Sequence, residues 1–155
     1  MSLQQESLIT TEAETPKHPY ESGLALYEEK GPLEEVIALF EQGLILSPKD
    51  ATGYTCLSWL HLLRNQEEDA DKGLSYAVKA VKLEPANYQA HFNLVLGMLV
   101  NSVSGVRPEF LKALDKCQTQ EDLQEVIDNL TEAVERRQDY SEAQKVLNWI
   151  QERTK

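Results

Sequence analysis

The chain has 155 residues, 41% of them hydrophobic, enough for one domain with a sizeable core. Its net charge of −11 and pI near 4.7 argue against nucleic acid as a partner, because neutralising phosphates needs a basic surface. They also disfavour an anionic membrane surface, and no apolar run approaches the roughly 20 residues that span a bilayer.

Residues 1–16, MSLQQESLITTEAETP, are polar and acidic and read as a flexible tail. They have neither the basic start nor the apolar stretch of a secretory signal. Residues 17–155 read as a single helical domain. Tyr20, Leu24 and Tyr27 run along one helix, Gly31-Pro32 makes a turn, and Leu33, Val36, Ile37 and Phe40 line a second helix. Apolar residues three and four apart give each helix one buried face. A helix over 51–64 and another over 71–83 follow, separated by the acidic loop Glu67-Glu68-Asp69-Ala70-Asp71. The next helix, over 88–101, is divided from one over 121–137 by a long segment, 102–120. In that segment Phe110, Leu111 and Leu114 share a helical face, with Pro108 suited to a helix start. A last helix covers 141–153. Cys56 and Cys117 are isolated and fit no paired zinc or redox spacing, which makes a reducing cytoplasm the default location. Cys56 reads as a small packing residue.

One block recurs three times: LILSPKDATGYTCL from Leu44, VKLEPANYQAHFNL from Val81 and VERRQDYSEAQKVL from Val134. Each copy is the end of one helix, a polar break and the start of the next. Recurring helix-break-helix units bury their apolar faces by stacking on neighbours, as in a solenoid. Aligned on Pro48 and Pro85, the residue five places earlier is Gly43 or Ala80, with Ala133 in the third copy and Gln138 in the proline position. Phe40, Ala77 and Leu130 precede the breaks by eight places. In these residues the chain resembles the tetratricopeptide-repeat (TPR) family, over about 20–153. The resemblance implies an all-α, right-handed α-solenoid of antiparallel helix pairs. On that reading 102–120 is a helical insertion in the third repeat and 141–153 a capping helix.

The resemblance also implies that the first helix of each pair lines a concave groove that holds a peptide or helix. The first of these helices is polar and acidic, with Glu21, Glu28 and Glu29. The second and third are apolar, with Trp59, Leu62, Leu63, Phe92, Leu96 and Leu99 beside Asn93. Such a patch is unusual on an open surface, so either a partner's segment or the insertion should cover it. Trp59 and Phe92 are the candidate anchors, and the glutamates would favour a partner with a basic stretch. Asn93 would bond a partner's backbone or face solvent. The carboxylate clamp of chaperone-binding members has only Asn93 of its residues here, with Glu21, Ala25, Cys56 and Gln89 at the other places; Glu21 would repel a carboxylate.

No set of residues proposes catalysis or a cofactor. His61 and His91 fall where such repeats pack one helix on its mate, and no ligand spacing surrounds them. The acidic loop lacks the glycine and terminal glutamate of a calcium site and reads as a solvated turn. The Asn129-Leu130-Thr131 sequon falls within a helix, and Glu34-Glu35 is solubilising charge. Trp149 either packs on the preceding helix or marks a dimer surface. The expectation is a non-enzymatic cytoplasmic adaptor or complex-assembly factor; the alternative is a homodimer joined through the last helix.

Overall fold

The computed structural model describes residues 17–153, and the expected tail at 1–16 lies outside them. Among the described residues there are eight α-helices and no strand: α1 Pro19–Glu28, α2 Leu33–Leu46, α3 Ala51–Arg64, α4 Asp69–Leu83, α5 Tyr88–Val100, α6 Val106–Lys116, α7 Gln120–Arg136 and α8 Ser141–Arg153. The protein is all-α. Among the described residues no helix is long and apolar enough to cross a membrane.

Local chemistry explains the starts. His18 Nδ1 accepts from the Tyr20 amide, Asp50 Oδ1 from Thr52, Asn87 Oδ1 from Ala90 and Thr119 Oγ1 from Asp122. Each satisfies an amide that the first helical turn leaves open. Pro19 occupies the first turn of α1, where a missing N–H costs nothing.

From α1 to α5 each helix packs on the next, and α3 also packs on α5. Val36, Ile37 and Phe40 of α2 meet Leu57 and Leu60 of α3 in one small core. Tyr54, Ala80 and Ala90 form another. The close approaches need small residues. A Cβ at Gly43 would fall inside the ring of Tyr20, and one at Gly97 would stand 3.0 Å from the Leu74 backbone; Ala80 and Ala133 are fully buried.

The largest core draws on five helices: Leu62 and Leu63 of α3, Phe92, Val95 and Leu96 of α5, Phe110 of α6, Val126 and Leu130 of α7, and Val146 and Ile150 of α8. The segment 102–120 is thus part of the core. Its helix α6 packs on α5, and Phe110 meets the Phe92 ring edge-on at 6.3 Å and the Trp149 ring at 5.2 Å. Arg107 lies over Trp149 at 4.4 Å, so Trp149 is engaged within the chain. Each large apolar side chain buried here contributes about 1.5–3 kcal/mol. Total stabilities are about 5–15 kcal/mol, so α6, α7 and α8 are integral to the fold.

In the turn between α1 and α2 the left-handed residue is Lys30 (φ 63°), and Gly31 answers a packing constraint: a Cβ there would strike Leu26. Lysine pays a steric cost in this region that glycine does not. Lys30→Gly should raise stability by about 0.5–1 kcal/mol in urea unfolding. Gly31→Ala, one position on, should lower it by about 1–3 kcal/mol; the opposite order would show that the strain has been misplaced.

Candidate functional site

The face shared by α1, α3 and α5 holds the residues expected to bind a partner, and the chain's own α7 lies across it. Four amides and carbonyls join in series. Asn129 Nδ2 of α7 donates to Gln89 Oε1 at 3.0 Å, and Gln89 Nε2 donates to Asn93 Oδ1 at 2.9 Å. Asn93 Nδ2 then donates to the Thr55 carbonyl of α3 at 2.9 Å. At the N-terminal end of α7, the Tyr88 hydroxyl donates to Glu125. At its C-terminal end Arg137 donates to the Leu62 carbonyl at 2.9 Å, and Arg136 lies over the Tyr27 ring at 4.4 Å. The helix therefore touches α5, α3 and α1.

The expected binding surface is closed by this arrangement. Leu62, Leu63, Phe92, Asn93 and Leu96 are 0–3% exposed, and Leu99 packs against the same core. In this structure they form the interior between helices and are not an open groove. Asn93 is neither solvated nor free for a partner's backbone, because both ends of its amide are bonded inside the chain. Apolar residues on a helix announce that something covers them, but not what; here α6, α7 and α8 do so. Trp59 is half-buried; Glu21 and Glu28 are exposed on α1, and Glu29 is exposed at its C-terminal cap.

A cleft remains where α7 does not close the face. It has a volume of about 160 Å³. Leu24 and Tyr27 of α1, Phe40 of α2, Cys56, Trp59 and Leu60 of α3 form its apolar walls; Thr55, Gln89, Asn93 and Asn129 form the remainder. Trp59 Nε1 donates to the Tyr27 hydroxyl at 3.0 Å, which fixes both rings. No charged side chain lines the cleft. Burial, with Asp50 adding to it, pushes the Cys56 thiol up to about 12, so the sulfur stays protonated and is a poor nucleophile. The sequence reading missed Leu24, Tyr27 and Asn129. Asn129 belongs to the helical sequon; its amide is bonded to Gln89 and the adjacent Leu130 is in the core.

The histidines are structural, and one of them belongs to a buried ion cluster that the sequence reading took for a solvated turn. Asp69, the first residue of α4, is fully buried. It accepts from Arg64 Nε at 2.8 Å, Arg64 NH2 at 2.9 Å and the Gln66 amide at 2.8 Å. His61 Nδ1 is 2.6 Å from its other contact, Oδ1. An ionised carboxylate only accepts, so the His61 proton sits on Nδ1. His61 Nε2 is buried without a partner, and no substrate could reach it. His91 Nε2 lies 2.7 Å from the Pro85 carbonyl. Among the described residues no group of three or more His, Cys, Asp or Glu is placed to hold a metal ion.

Burial alone would raise the Asp69 pKa, but the hydrogen bonds from Arg64, His61 and Gln66 outweigh it and hold the carboxyl at about 2. An unfolded aspartate titrates near ~3.9. The stabilisation is therefore complete above about pH 4 and is lost as pH falls through about 2. Asp69→Asn should cost about 3 kcal/mol or more at neutral pH, since it leaves the His61 and Arg64 donors without their charge partner. The gap in melting temperature between wild type and variant should narrow between about pH 4 and 2; a gap independent of pH would exclude the carboxylate as its source. Compared with known proteins, the chain matches no protein family and no curated protein sequence.

Proposed function

We propose that the chain is a tetratricopeptide-like helical-repeat protein of the cytoplasm, acting without catalysis as an adaptor or complex-assembly factor. In this reading it holds a short segment of another protein at the edge of the α1–α3 face. The observation that carries it is the uncharged cleft at Leu24, Tyr27 and Trp59, left open on a face otherwise covered by the chain's own helices. Beside it α1 presents the exposed carboxylates Glu21, Glu28 and Glu29. Apolar depth with a charged rim is the usual division of labour in protein recognition: the centre gives affinity, and the rim gives selectivity and association rate.

The other readings have less support. Self-association through α8 would need a free Trp149, and that ring is packed between Phe110 and Arg107. Catalysis would need an accessible base or nucleophile. The His61–Asp69 pair has the orientation of a base and its carboxylate, but it is sealed between α3 and α4.

Charge reversal separates the adaptor reading from these. The triple variant Glu21→Lys, Glu28→Lys, Glu29→Lys changes only exposed positions and should fold normally. In recovery of partners from native lysate, with bound segments located by chemical cross-linking, the wild type should cross-link through α1. The variant should recover those partners about tenfold less at low salt. Undiminished recovery, or cross-links confined to other faces, would overturn the proposal.

A further inference from the structure

The cleft restricts what it can receive, and its occupant can be narrowed if the adaptor reading holds. We infer that the cleft is a socket for one apolar, ring-sized side chain, phenylalanine above all, carried by a partner segment with lysine or arginine on either side of it.

Size comes first. At about 160 Å³ the space is close to the cavity of about 150 Å³ that admits benzene when lined by aliphatic and aromatic groups. It therefore fits a six-membered ring and is small for an indole.

Chemistry narrows the choice further. The walls are Leu24, Tyr27, Phe40, Cys56, Trp59 and Leu60, and the side-chain N–H groups of Gln89, Asn93, Asn129 and Trp59 are each bonded inside the chain. Gln89, Asn93 and Asn129 bond in series, and Trp59 bonds to Tyr27. Thr55 Oγ1 has no partner and is buried out of contact with solvent. With the Cys56 thiol neutral, there is no charge inside to pair with a charged side chain. A charged anchor would lose its hydration and meet no opposite charge.

The rim sets the flanking residues. Leu24 is 49% exposed at the mouth. Glu21 and Glu28 stand three places before it and four after, on the same stripe of α1, the spacing that makes neighbours on a helix. Across the mouth, Glu132 of α7 accepts from the Tyr27 hydroxyl at 3.5 Å, and Arg136 is committed to the Tyr27 ring and carbonyl. The open carboxylates are thus those of α1, and a cation next to the anchor would meet them.

No segment of residues 1–155 fits as the occupant. The segment before α1 carries Glu6, Glu12 and Glu14, with no lysine or arginine before Lys17, the wrong charge for that rim. The phenylalanines Phe40, Phe92 and Phe110 are 0–3% exposed, so a second copy of these residues has none to insert. The occupant inferred is a partner's segment, basic with a central aromatic.

The chain supplies its own reporter. Trp59 and Trp149 are the two tryptophans, and Trp149→Phe leaves Trp59, on the wall of the cleft, as the sole one. The single-tryptophan protein is titrated with a capped peptide holding one phenylalanine between two pairs of lysines, and with the same peptide carrying alanine instead. The phenylalanine peptide should give a saturable change in Trp59 emission, and the alanine peptide should bind at least about tenfold more weakly. Cys56→Leu, which fills the cleft, should abolish the difference between the peptides while the protein melts as a folded domain.

Equal binding of the two peptides would overturn the socket and leave attraction to the α1 carboxylates alone, with the adaptor reading intact. Binding of neither peptide to the folded protein would also overturn the socket. The adaptor reading would then stand or fall on the cross-linking of α1 to native partners, which uses no peptide.

Discussion

A chain of side-chain amides from Asn129 through Gln89 and Asn93 to the Thr55 carbonyl ties α7 to α5 and α3, and how much of the α1–α3–α5 face stays open depends on it. An amide pair fully bonded inside a protein is tolerated; one that loses its partner leaves a buried polar group unpaired, at about 1–3 kcal/mol. Asn93 is the fully buried member of the series, and Gln89, bonded to Asn129 of α7, holds its carbonyl oxygen. Val126 and Leu130, buried on the same helix, add the apolar part of the contact. Together these make α7 a fixed lid on most of the face.

That lid converts a broad apolar surface into a small aperture. Had α1, α3 and α5 been left bare, Leu62, Phe92 and Leu96 would have offered a wide surface with little power to choose among partners. With α7 in place the large side chains are withdrawn, and the opening is limited to the walls around Tyr27 and Trp59. The hydrogen bond from Trp59 to Tyr27 holds those walls in position before anything enters, which reduces the ordering cost of binding. On the proposed adaptor reading, electrostatics would act outside the cleft: with a net charge of −11 on the chain and Glu21, Glu28 and Glu29 exposed along α1 and at its end, long-range attraction would select basic segments, and the neutral interior would then test their shape.

Much of the helical layout was legible from the chain alone. The helices over 51–64 and 141–153 were expected at the limits the structure gives, because Asp50 caps one and the turn residues bound the other. The helix expected over 71–83 starts two residues earlier, since Asp69 is drawn inward by His61 and Arg64. His61 and Arg64 at one end of a helix, with an aspartate just beyond the turn, carried that signal; the acidic run around it hid the one member that is buried. Less legible was the covering of the face. Periodicity marks Leu62, Phe92, Val126 and Leu130 as buried without saying which meets which, because the contacts join residues far apart in sequence. Asn129, Gln89 and Asn93 are ordinary helix-surface residues until α7 is laid against α5. The cleft itself is a gap between five helices, and no local pattern encodes it.

Whether α7 is a fixed part of the face or a detachable segment is tested most directly by native-state hydrogen exchange. The backbone amides of Val126, Leu130 and Ala133 in α7 should exchange with opening free energies within about 1 kcal/mol of those at the core positions of α3 and α5, as members of one cooperative unit. If α7 instead opens several kcal/mol more readily than α3 and α5, the lid is mobile, the full apolar face is available to partners, and the fixed aperture does not exist.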